Sequence, residues 1–279
     1  MKRPYLIWNP EISRRNGPRV LQLLAVALKD AGCDVYRYVK PGLPKEVVDG
    51  VPAVSNDDLT EDFRKRAVVV YPEVIAGNPL RIQNVVRWIL FYPGKNGGAF
   101  HYYEGDVLFS FQPQFYPGIP QLTPPWIDQT LFFDDGRPKT QNCCFVHKGG
   151  RWRDVPETEG LPVITMQYPA TREGLAELLR STHTLYSFDD CSSVMDEAQL
   201  CGTRVKVVTR EGFREYESPF QQAVRDFPAQ LKYFIEVTSG MDWKGPLETR
   251  FQWKAKLNSV WLFLVKPYLL FLSRFFRLK

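Results

Sequence analysis

Residues 186–205 have the sequence YSFDDCSSVMDEAQLCGTRV, and this stretch decides the fold. An apolar strand ending near Ser187 is followed by an acidic loop. Ser192 and Ser193 then open a helix, because serine hydroxyls accept hydrogen bonds from the free N–H groups of a first turn. Gly202 ends the helix and an apolar strand follows. This order predicts a unit of a parallel α/β sheet whose helix start suits a diphosphate.

Hydrophobic patterning extends this plan to the whole chain. Strands are predicted at 5–8, 34–39, 67–71, 88–92, 107–111, 142–147, 162–167, 184–187 and 205–208. Helices are predicted at 19–31, 81–88, 172–181 and 192–200. A proline- and glycine-rich stretch without clear periodicity separates the two halves. The alternation predicts an α/β chain with two Rossmann-like halves.

The central segment resembles the donor-binding motif of glycosyltransferases with the GT-B fold. In that motif an acid is followed, after seven residues, by Glu-Ala, then by Cys-Gly, Thr or Pro, and Val. The matching residues here are Asp189, Glu197, Ala198, Cys201, Gly202, Thr203 and Val205. The resemblance implies that Glu197 contacts the ribose of a nucleotide sugar and that Asp189 occupies the catalytic position beside the donor sugar. Cys191-Ser192-Ser193 replaces the usual Gly-Phe-Gly, and Asp189 replaces the usual Glu, so retention or inversion stays open.

The same resemblance implies a GT-B architecture in which two Rossmann-like domains face a cleft, with amphipathic helices at the C-terminus. The expected divisions are an acceptor domain at 1–122, a linker at 123–140, a donor domain at 141–250 and a membrane-associating tail at 251–279. Donor binding is assigned to Lys148, Gly149, Tyr186, Ser192, Ser193 and Glu197. Lys148 follows a predicted strand, where a cation stabilises a departing nucleotide. An exposed lysine in a turn is the alternative.

A glycine-rich loop follows a predicted strand in the first half of the chain. Ligands of open α/β sheets bind at the carboxyl ends of strands, and glycine lets a backbone approach a ligand closely. The loop is not a Walker A loop, because no Lys-Ser/Thr pair ends it. Donor phosphates or the acceptor are therefore expected against Gly94, Lys95, Gly97 and Gly98.

An inverting mechanism needs a base that takes the proton of an acceptor hydroxyl. Candidates after the glycine-rich loop are His101, Glu104 and Asp106, and Glu73 is a further one. For each of them a structural role is the alternative. Acid pairs occur at 134–135 and 189–190 but no DxD triplet does, so no metal site is expected. No cofactor is expected beyond the nucleotide sugar as a co-substrate.

The net charge of +5 is concentrated at the end of the chain. Residues 251–279 contain six basic residues and no acid, which leaves −1 for the rest. A general nucleic-acid-binding face is therefore not expected, and the predicted partners include no nucleic acid. Because Lys266 and Pro267 interrupt the aromatic tail, it is expected to lie on an anionic membrane surface rather than to span the bilayer. Packing of the tail on the first domain is the alternative.

These features predict a metal-independent, hexosyltransferase-like enzyme that moves a sugar from a nucleotide sugar to a glycan or lipid-linked acceptor. Its expected role is surface-polysaccharide synthesis, such as lipopolysaccharide or O-antigen, at the inner face of the cytoplasmic membrane. Five cysteines without a CxxC spacing favour a reducing compartment. Two alternatives stay open. One is a nucleotide-sugar epimerase of the same fold, and the other is a non-catalytic partner in a polysaccharide-assembly complex.

Overall fold

The computed structural model describes residues 3–11, 16–98, 102–103, 105–146 and 150–242. The chain forms two compact units. The first contains the described residues up to Pro124 and those from Asp226 onwards, and the second is Pro125–Arg225. Both contain a mostly parallel sheet with helices, so the predicted α/β class is confirmed.

The sheet of the first unit has six strands. They are β1 (Tyr5–Trp8), β2 (Val35–Tyr38), β3 (Ala53–Val54), β4 (Val68–Pro72), β5 (Asn84–Ile89) and β6 (Val107–Ser110). All neighbours are parallel, in the order β3-β2-β1-β4-β5-β6. This is the strand order of a Rossmann sheet. Helix α1 (Asn16–Asp30) connects β1 to β2, and the short helix α2 (Glu61–Arg66) precedes β4.

Helix α1 shows why the patterning was informative. Its apolar side chains recur at helical spacing and five of them are buried, namely Val20, Leu21, Leu24, Ala25 and Leu28. Gly32 follows with a φ of 77°, a left-handed conformation that glycine adopts without steric penalty. The helix and its glycine stop confirm the prediction for this part of the chain.

The predicted helix at 81–88 is wrong, because β5 occupies most of this stretch. All six residues of β5 are buried, as expected for a central parallel strand. Arg87 is a charged residue within this strand, and its side chain is only 3% exposed. The predicted strand at 88–92 therefore begins inside β5 and runs past its end.

Arg87 is accommodated by a buried network of hydrogen bonds. Its Nε donates to Asp106 Oδ2 at 2.7 Å, and the Asp106 side chain is 5% exposed. Its terminal nitrogens donate to the carbonyls of Ile75, at 2.8 Å, and Gly77. The guanidinium carbon also lies 4.9 Å from the centre of the Tyr71 ring. A charge that is costly to bury is thus neutralised, and each of its three nitrogens donates a hydrogen bond.

The sheet of the second unit has five strands. They are β7 (Gln141–Phe145), β8 (Val163–Ile164), β9 (Thr182–Ser187), β10 (Arg204–Thr209) and β11 (Gly212–Glu215), in the order β11-β10-β9-β7-β8. Only β11 is antiparallel to its neighbour. Helices α3 (Arg172–Ser181) and α4 (Ser193–Leu200) precede β9 and β10. Strand β8 is much shorter than the predicted 162–167.

Helix α5 (Phe220–Ser239) begins in the second unit and ends in the first. Near its end, the ring centre of the fully buried Phe234 lies 5.0 Å from that of Phe109 and 6.1 Å from that of Tyr5. Thr238 Oγ1 is 2.7 Å from Tyr5 Oη. The structure therefore divides the chain differently from the predicted boundaries, since residues expected to close the donor domain pack in the first unit.

The expected tail at 251–279 lies outside the described residues. Within the described ranges, no helix has both the length and the apolar character needed to cross a membrane.

The buried Arg87–Asp106 pair generates a stability prediction. Asp106→Ala leaves a buried guanidinium without its counter-charge, so we expect the free energy of unfolding to fall by about 3–5 kcal/mol. Urea denaturation measures this change. The matched control is Asp62→Ala, which removes an ion pair with Arg66 whose side chains are 70% and 43% exposed. We expect little change there, and equal losses in the two variants would contradict the assigned role of the buried pair.

Candidate functional site

The carboxyl ends of the parallel strands in the second unit are the edge at which open α/β sheets bind ligands. Strand β9 leads there into the loop that precedes α4, and β8 leads into the loop that precedes α3. The chain beyond β7 contains Lys148 and Gly149, which lie outside the described residues. Their predicted contact with the donor phosphates stays a prediction.

The start of α4 has the predicted geometry. Ser192 is the N-cap, and its hydroxyl accepts a hydrogen bond from the Val194 N–H at 3.4 Å. In the loop before it, the Ser187 hydroxyl donates to the Asp189 carbonyl at 2.7 Å and accepts from the Asp189 N–H at 3.2 Å. Ser193 is the first helical residue. The first turn of α4 therefore follows β9 through a short, hydrogen-bonded loop at the carboxyl edge.

Glu197 is fully buried on α4, and both of its carboxylate oxygens are engaged. Arg172 Nη2 donates to Oε1 at 2.8 Å and Nη1 donates to Oε2 at 3.1 Å. Arg172 is the first residue of α3, and its side chain is 35% exposed. Its guanidinium carbon lies 4.5 Å from the centre of the buried Phe132 ring. The residue predicted to contact ribose is thus paired with a cation that the sequence motif does not contain.

Arg172 was missed because nothing local distinguishes it. It follows Thr171, an N-cap whose hydroxyl accepts from the Gly174 N–H, and it is one of several charged residues on an amphipathic helix. Its partner Glu197 is 25 positions away on another helix. The one signal in the sequence is that a motif acid needs a neutralising cation when it is buried. The sequence does not specify which basic residue supplies that cation.

Tyr186, the remaining predicted donor residue, lies within β9 and is 8% exposed. Its ring centre is 5.3 Å from that of Phe213 on β11, and the Lys206 ammonium lies 6.0 Å from it. These contacts give Tyr186 a packing role between neighbouring strands. Its predicted contact with a donor stays a prediction.

Asp196, next to Glu197, is the centre of a second buried network. Its Oδ1 accepts from the hydroxyls of Tyr216 at 2.7 Å and Ser218 at 2.6 Å, and its Oδ2 accepts from Trp126 Nε1 at 3.3 Å. Burial raises the pKa of Asp196 to about 6, although these hydrogen bonds act in the opposite direction. The network joins the first residues of the second unit to the segment before α5, a structural role that sequence reasoning did not identify.

In the first unit, the glycine-rich loop lies against the chain that follows β4. Gly94, Gly97 and Gly98 have φ values of 77°, 91° and 83°. A Cβ atom on Gly98 would lie 2.2 Å from the Glu73 carbonyl oxygen. Gly98 is therefore required by a close backbone approach, whereas Gly97 and Lys95 are exposed. Contact of this loop with donor phosphates or an acceptor stays a prediction.

Of the four candidate bases, the structure describes Glu73 and Asp106. Glu73 is 4% exposed, its Oε2 accepts from the Leu90 N–H at 2.9 Å, and burial raises its pKa. Asp106 is the partner of Arg87. Both acids thus hold the structure around β5. His101 and Glu104 lie outside the described residues, so their catalytic roles stay predictions, as does that of the half-buried Asp189.

In the part of the chain that the structure describes, no group of three or more His, Cys, Asp and Glu side chains is arranged to hold a metal ion. Metal independence stays a prediction.

No protein-family model matches the chain, and no curated protein matches it. Among solved structures, the chain is similar to an alpha-glucosyltransferase in complex with UDP and a 13-mer DNA containing a HMU base, with a TM-score of 0.40, 11% identity and coverage of 86% of this chain and 91% of that chain. It is also similar to an alpha-glucosyltransferase in complex with UDP-glucose and DNA containing an abasic site, with a TM-score of 0.41, 10% identity and coverage of 85% and 90%. Similarity at this level assigns no substrate and no residue role.

The comparison corrects one expectation. The predicted partners included no nucleic acid, but both similar structures are complexes with DNA. The charge distribution gave too little ground for that exclusion, because a net charge summed over a whole chain does not describe the charge of one surface. The exclusion is withdrawn.

The raised pKa of Asp196 predicts a pH dependence of stability. The folded protein holds this proton up to about pH 6, whereas the unfolded chain loses it near pH 4. The Asp196 contribution to the free energy of unfolding therefore falls as pH rises from about 4 to about 7, by about 2–3 kcal/mol. Urea denaturation of the wild type and Asp196→Asn across this range should show the difference between them changing with pH. A constant difference would contradict the assignment.

The close approach at Gly98 predicts unequal effects of two alanine substitutions. Gly97→Ala and Gly98→Ala both place a side chain at positive φ, but a Cβ on Gly97 has nothing within 4 Å. Left-handed strain alone costs about 1 kcal/mol. We expect Gly98→Ala to lose clearly more stability than Gly97→Ala, because the loop must also move away from Glu73 and Val74. Thermal denaturation compares the two, and equal losses would contradict the contact.

Proposed function

We propose that the chain is a glycosyltransferase of GT-B type that binds a nucleotide-sugar donor at the carboxyl edge of the second unit. One observation carries the proposal. Where β9 ends, the Ser192-capped start of α4 lies in the same helix as Glu197, which is paired with Arg172 of the neighbouring α3. The edge thus combines helical N–H groups with a cation held by a buried acid, and both favour a bound diphosphate.

The chemistry of sugar transfer fits such an edge. The bond between the anomeric carbon and the diphosphate oxygen breaks, and negative charge grows on the departing nucleoside diphosphate. Preorganised N–H donors and cations stabilise that charge without reorganising during the reaction. The proposed donor residues are Ser192, Ser193, Glu197, Tyr186, Lys148 and Gly149. Asp189 is proposed beside the donor sugar, and His101 or Glu104 as the base toward the acceptor.

The acceptor and location are proposed from the sequence. Residues 71–106 are similar to segments of bacterial polysaccharide glycosyltransferases, and this resemblance supports a glycan or lipid-linked acceptor in surface-polysaccharide synthesis. The basic, aromatic composition of 251–279 supports association with the inner face of the cytoplasmic membrane. DNA belongs among the acceptors to be tested, because the two similar alpha-glucosyltransferases were solved with DNA.

The proposal is tested by nucleotide-sugar turnover. The full chain is incubated with UDP-, GDP- and dTDP-sugars, alone and with glycan, lipid-linked or DNA acceptors, and release of nucleoside diphosphate is measured. We expect acceptor-dependent release with one donor class, and loss of at least about tenfold in turnover for Glu197→Ala, since the charged pair at the donor edge is removed. An acceptor-independent change of the donor sugar would instead indicate an epimerase.

The matched control is Glu177→Ala. Glu177 is an exposed acid on α3 that pairs with Arg137 and Arg180, so it shares the helix and the type of interaction with the Arg172 pair. We expect turnover to stay at the wild-type level. The proposal is overturned when no nucleotide sugar binds the wild type, a result that favours a non-catalytic partner, or when Glu197→Ala turns over like the wild type.

A further inference from the structure

Arg172 is partly exposed, yet its side chain is held by an acid and by an aromatic ring. It is the first residue of α3, and its two terminal nitrogens donate hydrogen bonds to the two carboxylate oxygens of Glu197. Its guanidinium carbon lies 4.5 Å from the centre of the Phe132 ring. A paired and stacked arginine has one orientation, because the planar fork matches the carboxylate. The side chain therefore keeps its position without a ligand.

This arginine also has donors to spare. A guanidinium carries five N–H groups, and the pair with Glu197 uses two of them. The described residues supply no further hydrogen-bond partner. Asp128 lies within electrostatic range, but its carboxylate accepts from the Thr130 hydroxyl at 2.6 Å and N–H at 2.9 Å, and forms no ion pair with Arg172. With 35% of the side chain exposed, Arg172 is partly accessible to solvent.

Glu197 is in the opposite situation. None of its surface is exposed, and both oxygens already accept from Arg172. Each carboxylate oxygen can accept a second hydrogen bond, but because none of its surface is exposed, a ribose hydroxyl reaches it only if the groups that cover it move. Moving Arg172 would leave a buried charge without its partner. Of the two members of the pair, only Arg172 presents surface to a nucleotide.

The pair also lies near the N-terminal end of α4, where the first N–H groups of the helix favour an anion. Ser193 and Glu197 are separated by four positions, so their side chains occupy the same face of the helix, about 6 Å apart. The guanidinium that grips Glu197 is therefore about one turn from the first helical residue. A group that contacts both the first turn and a guanidinium is best an anion with several oxygens, which describes a diphosphate better than a ribose.

We propose that Arg172 is the cation that contacts the diphosphate of the donor, and that Glu197 is a positioning residue acting through Arg172 rather than a direct ligand of ribose. This inference rests on the proposed function. It adds a binding residue that the sequence motif does not contain and gives the motif glutamate a different role.

The test measures binding of matched ligands by calorimetry. The probes are UDP with uridine, GDP with guanosine and ADP with adenosine, and the diphosphate that the wild type binds most tightly is carried forward. Arg172→Gln should raise the dissociation constant of the diphosphate roughly 10–100-fold. The dissociation constant of the nucleoside should change by no more than about twofold, because the nucleoside has no phosphate. The affinity of Arg172→Lys for the diphosphate should lie between those of the wild type and Arg172→Gln, since lysine keeps the charge but loses the planar fork of donors.

Two further variants separate positioning from folding. Arg172→Gln leaves Glu197 buried and unpaired, so it is compared with the double variant Arg172→Gln/Glu197→Gln, which removes both charges. If Glu197 acts through Arg172, the double variant loses no more diphosphate affinity than Arg172→Gln alone. Arg180→Gln is the control. Arg180 is on the same helix, pairs with Glu177, and its guanidinium carbon lies 5.1 Å from the centre of the Phe133 ring. Its replacement should change the affinity for neither the diphosphate nor the nucleoside.

The outcomes distinguish this inference from the proposed function. If no diphosphate binds the wild type, the proposed function fails and the inference fails with it. If the wild type binds a diphosphate and both Arg172 variants bind it equally well, the inference alone is overturned. If Arg172→Gln weakens binding of the nucleoside as much as binding of the diphosphate, Arg172 contacts the ribose or base, and its assignment to the diphosphate is wrong.

Discussion

The neutralisation of a fully buried carboxylate is the constraint on which the second unit depends. Burying Glu197 without a counter-charge would cost more free energy than the hydrogen bonds of a surface loop contribute. Arg172 supplies the counter-charge from the start of α3, so the packing of α3 beside α4 is specified by charge as well as by apolar contact. Asp196, the next acid along, has hydrogen-bond donors in place of a cation, and burial raises its pKa.

The first unit meets the same constraint with another pair. Arg87 and Asp106 neutralise each other inside the sheet, and the remaining donors of Arg87 hold the loop after β4. Glu73 accepts from the backbone just beyond β5. In both units, therefore, buried charged pairs hold segments around the sheet in place. At the proposed donor edge of the second unit, such a pair can present a cation beside helical N–H groups to an anionic ligand with little rearrangement, which is what stabilisation of a departing diphosphate requires.

Local patterns in the sequence predicted the elements that local physics determines. The apolar runs of β1, β4 and β9, the period of α1, the cap at Ser192 and the glycine stops depend on neighbours within a few positions. Strand β5 was missed because its arginine is satisfied by Asp106, 19 positions away. The capping pattern identified Ser192 and the motif identified Glu197, but neither pointed to Arg172, whose partner lies on another helix. The packing of Phe234, near the end of α5, within the first unit depends on Tyr5 and Phe109, which are distant in the sequence.

A crystal structure of the full chain with a bound nucleoside diphosphate would show whether Arg172 contacts the diphosphate. We expect phosphate oxygens within about 3 Å of the Arg172 guanidinium and of N–H groups in the first turn of α4, with the pair between Arg172 and Glu197 intact. A diphosphate bound away from this edge, or one seated there with Arg172 turned aside and Glu197 on the ribose, would contradict it.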